Sequence, residues 1–122
     1  MADWYSRPVL FVSEIGKSVA FYKDKLGFRE DWRYDQDGDS PLVQLSRHEC
    51  ELILTAQTPE KVGCGLILVS LDLDLIPATR AEFEARGVEV QDGRLGYPLM
   101  IVTDPDGNQL HFPYPADDEQ PA

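Results

Sequence analysis

The sequence predicts an α+β fold assembled from two βαβββ modules, and three observations carry that prediction. Each half of the chain holds one stretch of helical spacing, closed by a glycine, Gly27 in the first half and Gly87 in the second. The other apolar runs are short, β-branched and aromatic in content, and bounded by turn residues. The order strand, helix, strand, strand, strand then occurs twice at about the same length, an internal duplication visible in pattern where few identities survive. Those identities fall at equivalent joints. Val12-Ser13 and Val69-Ser70 each close a first strand, and Gly27-Phe28 and Gly87-Val88 each join a helix to the strand after it.

In order, Pro8–Ser13 reads as the first strand. Ile15, Val19, Tyr22 and Leu26 recur at the spacing of one helix face, and Gly27 stops that helix. Phe28–Tyr34, Leu42–Ser46 and Cys50–Ala56 follow as strands, the first two separated by the turn-rich segment from Asp35 to Pro41. The second half opens with a strand over Gly65–Leu71. A helix over Asp74–Arg86 has Pro77 near its start and Gly87 past its end, the expected asymmetry. Val88–Asp92, Tyr97–Thr103 and Gln109–Pro113 complete the strands. The units span residues 1–58 and 59–115 of one structural domain, and an acidic, proline-containing tail, 116–122, is expected to be disordered.

Strand alternation sorts the side chains by face. In the fourth strand Leu52, Leu54 and Ala56 share one side, and Glu51, Ile53 and Thr55 the other. In the eighth, Leu110 and Phe112 oppose Gln109, His111 and Pro113. A single helix per unit covers one face of its sheet. The purely apolar faces therefore belong under the helices, and the mixed faces bearing Glu51 and His111 look into the space the sheets enclose. On the same alternation Trp32 is expected beside Phe28, Glu30 and Tyr34.

Composition excludes several function classes. With 22 acidic against 11 basic side chains in 122 residues, the formal charge is −11. Such a surface repels phosphate backbones and anionic lipid, so neither nucleic acid nor membrane is an expected partner. It attracts a cationic small molecule. Cys50 and Cys64 form neither a Cys-x-x-Cys pair nor a disulfide framework. No apolar run approaches the ~20 residues of a membrane span, and the start has no signal-peptide pattern, so a cytoplasmic location is expected.

The segment Thr103-Asp104-Pro105-Asp106-Gly107-Asn108-Gln109-Leu110-His111-Phe112 is a tight turn between two apolar runs. Together with Phe11-Val12-Ser13-Glu14, Ser18-Val19-Ala20-Phe21-Tyr22, Leu26-Gly27-Phe28, Asp31-Trp32-Arg33-Tyr34, Glu51-Leu52-Ile53-Leu54 and Ala85-Arg86-Gly87-Val88, it resembles the glyoxalase/bleomycin resistance family of the vicinal oxygen chelate superfamily. The order and spacing of these segments, over residues 7 to 114, carry the resemblance. It implies paired βαβββ modules, a cupped eight-stranded mixed sheet, and a homodimer with sites near its interface.

Catalytic members of that family hold a metal on the first and last strand of each module. Carried over, those positions fall near Arg7, at Ile53, at Leu66 or Leu68, and at His111. Only His111 is a competent donor, with Glu51 as a second, weak metal candidate, and divalent sites need three or more donors. Neither a metal cofactor nor any catalytic residue is therefore expected. No Ser/His/Asp set or phosphate loop takes their place. What remains is a pocket lined by Trp32, Tyr34, Glu51, Tyr97 and His111. Trp32 resembles the aromatic wall of the bleomycin-binding members and suits a planar or cationic ligand. The expected function is non-catalytic sequestration of a bleomycin-type antibiotic. A metal-dependent lyase, isomerase or dioxygenase that uses Glu51 and His111 is the alternative.

Overall fold

Short alternating runs and two glycine-stopped helical stretches fold in the expected order. The computed structural model describes residues 4–36 and 39–114. The tail 116–122 and the middle of the first hairpin loop lie outside the described residues. The first half comprises β1 (Val9–Phe11), α1 (Ile15–Ala20), β2 (Arg29–Gln36), β3 (Asp39–Arg47) and β4 (Cys50–Thr55). The second comprises β5 (Leu66–Leu68), α2 (Ile76–Ala85), β6 (Val90–Arg94), β7 (Pro98–Thr103) and β8 (Gln109–Pro113). The eight strands form two four-stranded sheets, ordered β1-β4-β3-β2 and β5-β8-β7-β6. In each sheet the first strand pairs parallel to the last and the other pairs are antiparallel.

Several boundaries differ from the sequence expectation. β2 and β3 extend into the segment read as a turn and pair as far as Gln36 opposite Asp39, since hairpin pairing satisfies backbone groups that a loop would leave to water. β1 and β5 are edge strands of three residues each, shorter than the apolar runs that contain them. β6 starts at Val90, because Val88 is taken up in closing α2, where its N–H bonds the Phe83 carbonyl. The first helix is α-helical only to Ala20 and then widens into a π turn, Phe21–Lys25. Edge-on stacking of Phe21 on Tyr22 (5.4 Å) and of Tyr22 on Phe28 (5.7 Å) packs around that turn. Gly27, at φ 77°, then reverses the chain so that the Phe28 N–H reaches the Tyr22 carbonyl at 2.9 Å.

The helix-facing sides of both sheets share one core. Leu10, Val12, Val43, Leu45, Leu52 and Leu54 come from the first sheet, and Met100, Val102, Leu110 and Phe112 from the second. Val19, Tyr22, Leu26 and Phe83 close over them from the helical segments. Each fully buried Leu stabilises by about 1.5–3 kcal/mol relative to exposure, so this core is what draws the halves together.

Polar contacts set how the halves meet, and the Asp104–Asn108 turn supplies several of them. Asn108, fully buried, donates from Nδ2 to the Phe11 carbonyl at 3.0 Å and accepts the Gly65 N–H on Oδ1 at 2.8 Å. It thereby ties β1 to the start of β5. Asp106 accepts the Ser13 N–H and hydroxyl at 3.1 and 2.7 Å. Gly63, at φ 79°, passes against the Asp106 carbonyl, where a Cβ has no room. At the other end Arg47 bridges the Leu26 carbonyl and the Glu82 carboxylate of α2, with both pair distances 2.9 Å. That contact holds Glu82 below the usual carboxylate range, with hydrogen bonding to Arg47 the main cause.

Candidate functional site

The sheet faces away from the helices carry the mixed side chains, as alternation implies. Their register can be read in rows. One row of the first sheet runs Trp32, Gln44, Ile53, Val9, and the next runs Tyr34, Leu42, Thr55, Phe11. A third contains Arg29, Ser46 and Glu51. On the second sheet Gln91, Ile101, His111 and Leu68 form one row, flanked by Thr103, Gln109 and Leu66. Trp32, Tyr34 and Glu51 therefore share the open face of the first sheet. His111 belongs to the open face of the second sheet. Tyr97 lies just ahead of β7 and is 41% exposed.

The expectation that Trp32 stands beside Phe28 and Glu30 is corrected. Pairing shifts between Glu30 and Trp32, so Asp31 is an extra residue in β2. Glu30 pairs with core-facing Leu45, and Phe28 is buried in the core, whereas Trp32 pairs with Gln44 on the open side. The bulge thus exposes Trp32 to 40% instead of burying it. Strict period-two reading cannot detect such an insertion.

The bulge also builds a polar network that the sequence reading missed. Asp31 Oδ1 accepts the Ser46 hydroxyl at 2.9 Å and Arg29 Nε at 3.1 Å, and Oδ2 accepts Gln44 Nε2 at 3.0 Å. Gln44 Oε1 in turn accepts Arg7 Nη1 at 2.6 Å. Burial presses the Asp31 carboxyl upward, but the bonds from Gln44, Ser46 and Arg29 outweigh it and hold the group below its ordinary value. The available signal was the alternation of Gln44 and Ser46 with Val43 and Leu45, polar side chains on the face assigned to the binding side.

His111 is 6% exposed. Its Nε2 lies 2.9 Å from Gln109 Oε1, so that nitrogen carries the proton in the neutral ring, and Nδ1 keeps a lone pair. Nδ1 is buried and has no hydrogen-bond partner among the described residues. An unmet buried acceptor costs about 1–3 kcal/mol. Glu51 is half-buried and makes no ion pair among the described residues.

At the positions carried over from the resemblance, Ile53 pairs with Val9, two residues beyond Arg7, and His111 pairs with Leu68. A guanidinium, two aliphatic side chains and one imidazole do not fit a divalent metal. Among the described residues no group of three or more His, Cys, Asp or Glu side chains could hold one. A cavity of about 340 Å³ lies elsewhere, lined by Phe21, Gly87, Val88, Glu89, Gln91 and Thr103, and includes none of the five expected residues. No helix among the described residues is long and apolar enough to cross a membrane.

Comparison with known proteins agrees with this architecture. Residues 4–112 match the sequence model of the Glyoxalase/Bleomycin resistance protein/Dioxygenase superfamily. No protein of curated function matches the chain. Among solved structures, the antibiotic binding protein TnmS3 from Streptomyces sp. CB03234 is similar with a TM-score of 0.75 at 23% identity, covering 95% of this chain and 99% of that one. The bleomycin-binding protein of Streptomyces verticillus, complexed with copper(II)-bleomycin, has a TM-score of 0.71 at 22% identity, with 95% and 100% covered. The fosfomycin resistance protein FosX of Listeria monocytogenes, complexed with Mn(II), has a TM-score of 0.65 at 13% identity, with 98% and 96% covered. At these identities the likeness is one of fold.

Proposed function

For a chain that belongs to the Glyoxalase/Bleomycin resistance protein/Dioxygenase superfamily, we propose the binding of a small organic molecule of antibiotic type, held without chemical change. The observation that carries this reading is His111, a buried imidazole on an open sheet face whose Nδ1 lone pair lacks a donor. An unmet acceptor of this kind is stabilised when a ligand hydroxyl or amine reaches it. Trp32 and Tyr34, 40% and 53% exposed on the open face of the first sheet, offer ring surfaces to a planar group.

Binding and resistance relatives support the antibiotic assignment, since TnmS3 is described as antibiotic binding and the S. verticillus protein as bleomycin-binding. Non-catalytic action is supported by the donor set: the Lewis acid of metal-using members has only His111 in register to hold it. A homodimer is the proposed working unit. Val9, Leu66 and Leu68, each about half exposed on the two edge strands, suit burial between copies.

The test is titration with a bleomycin-type drug in a Trp4→Phe background, which leaves Trp32 as the fluorescent reporter. The reading expects saturable quenching at one ligand per site, weakened at least tenfold by His111→Ala. No change in emission or heat at high micromolar drug would overturn the drug assignment. Stoichiometric divalent metal that is lost in His111→Ala would overturn the non-catalytic reading.

A further inference from the structure

We propose that Arg7 anchors the ligand on the first sheet's open face, and that the ligand is an aromatic acid, its carboxylate on the guanidinium and its ring against Trp32. This rests on the open face being the binding surface and names the chemical group that face selects.

The chain has twice as many acidic as basic side chains, so an arginine without a carboxylate is unusual here. Arg29, Arg33, Arg47, Arg80 and Arg86 each stand within 4.0 Å of one. Arg7 has none among the described residues. Its partners are neutral: the Gln44 amide oxygen at 2.6 Å and the Tyr5 ring, whose centroid lies 5.8 Å from the guanidinium carbon. Among the described residues no carboxylate lies within 4.0 Å of it; Asp31 stands one amide away, behind Gln44, and Glu51 falls beside it in the continued register.

Gln44 holds Arg7 in place because Gln44 is itself held. It is 6% exposed, and its Nε2 donates to Asp31 Oδ2, which leaves Oε1 directed at Arg7. Asp31 does not compete for Arg7, since Gln44, Ser46 and Arg29 already serve both its oxygens. Among the described residues one of its five guanidinium donors is used, and the planar fork keeps the geometry for a bidentate oxyanion. Gln44 also pairs directly with Trp32 across the ladder, so the charged fork and the exposed indole flank one buried amide. A ring bearing a carboxylate matches that spacing of functions. The overall charge of −11 opposes anions only at long range, because salt screens exposed charges beyond about 8 Å and a contact guanidinium acts inside that distance.

The experiment compares 2-naphthoate, neutral 2-naphthamide and 2-naphthylmethylammonium by calorimetry, with Trp32 emission as the locator, on the Trp4→Phe protein with Arg7 intact, Arg7→Met or Arg7→Lys. The expected result is naphthoate bound about tenfold more tightly than naphthamide. Arg7→Met abolishes that ratio and leaves naphthamide affinity unchanged, and Arg7→Lys retains part of it. Arg7→Met leaves the buried Gln44 Oε1 without its donor and lowers the unfolding midpoint in urea, whereas Arg7→Lys keeps a donor and the wild-type midpoint; naphthamide binding to Arg7→Met shows that the face remains folded. If naphthamide or the ammonium probe perturbs Trp32 but the acid has no advantage, or if the advantage survives Arg7→Met, the anchor is wrong and the binding face stands. If none of the three probes perturbs Trp32, the binding face and the anchor both fall.

Discussion

The Tyr22 hydroxyl donates a 3.0 Å hydrogen bond to Asp104 Oδ2 across 82 residues of sequence, joining the wide turn after α1 to the hairpin before β8. Tyr22 is fully buried, and Asp104 is 4% exposed. Asp104 also accepts the N–H groups of Asp106 and Asn108 and the Asn108 side-chain amide. One carboxylate thus organises the turn while receiving the phenol of the other half.

Tyr22→Phe is expected to lower stability by about 1.5–3 kcal/mol, the range for a hydrogen bond to a charged partner, read as a shift of the urea midpoint at constant m. Burial, and then the Asp104 charge, raise the Tyr22 pKa far above its ordinary 10.0. The unfolded chain therefore loses this proton from about pH 10 upward while the folded chain keeps it. Stability from this group is complete below pH 10 and falls above it by at most ~1.4 kcal/mol per pH unit. Melting curves at pH 8 and 11 should separate less for Tyr22→Phe than for wild type. Equal separation would refute the linkage.

Asn108→Ala removes the donor to Phe11 and the acceptor for Gly65 at once, leaving the half-buried Gly65 N–H unmet and the Phe11 carbonyl with the Gly63 N–H alone. A loss of about 2–4 kcal/mol is expected. Asn108→Asp keeps the acceptor for Gly65 but sets a second buried carboxylate against Asp104, so it should lose at least as much as Asn108→Ala in chemical denaturation.

His111→Leu tests whether the buried imidazole is kept for a ligand. The change deletes an unsatisfied Nδ1 and retains apolar bulk, so the free protein should be as stable as wild type or up to about 1 kcal/mol more stable. Drug binding should fall at the same time. A clear loss of thermal stability would instead make His111 structural.

His48 sits in the β3–β4 hairpin at φ 54°, left-handed backbone where a side chain costs about 1 kcal/mol. His48→Gly should raise the melting temperature by a few degrees, and unchanged ligand binding would show that the tip is remote from the open faces.

Much of the architecture is legible in single residues. Gly27 and Gly87 stop the helices where expected, Leu52, Leu54, Leu110 and Phe112 turn toward the helices together, and Glu51 and His111 lie on the opposite sheet faces. These follow from periods of 2 and 3.6, which act over a few residues and are written locally. Trp32 is the counterexample. Its face depends on one inserted residue, Asp31, whose place is set by the partner strand and by Gln44 and Ser46, and no local period reports it.

The Asp104–Asn108 turn divides in the same way. Its residue types alone specify a tight reversal and the family resemblance, because Pro, Gly and Asn select backbone angles within the turn itself. That Asn108 bridges Phe11 and Gly65, that Asp104 receives Tyr22, and that Arg7 is left with a neutral partner are matters of distance between segments far apart in the chain. Local propensity determined the strands, the helices and their faces. Only tertiary packing decided which polar groups find partners and which, like His111 Nδ1, have none among the described residues.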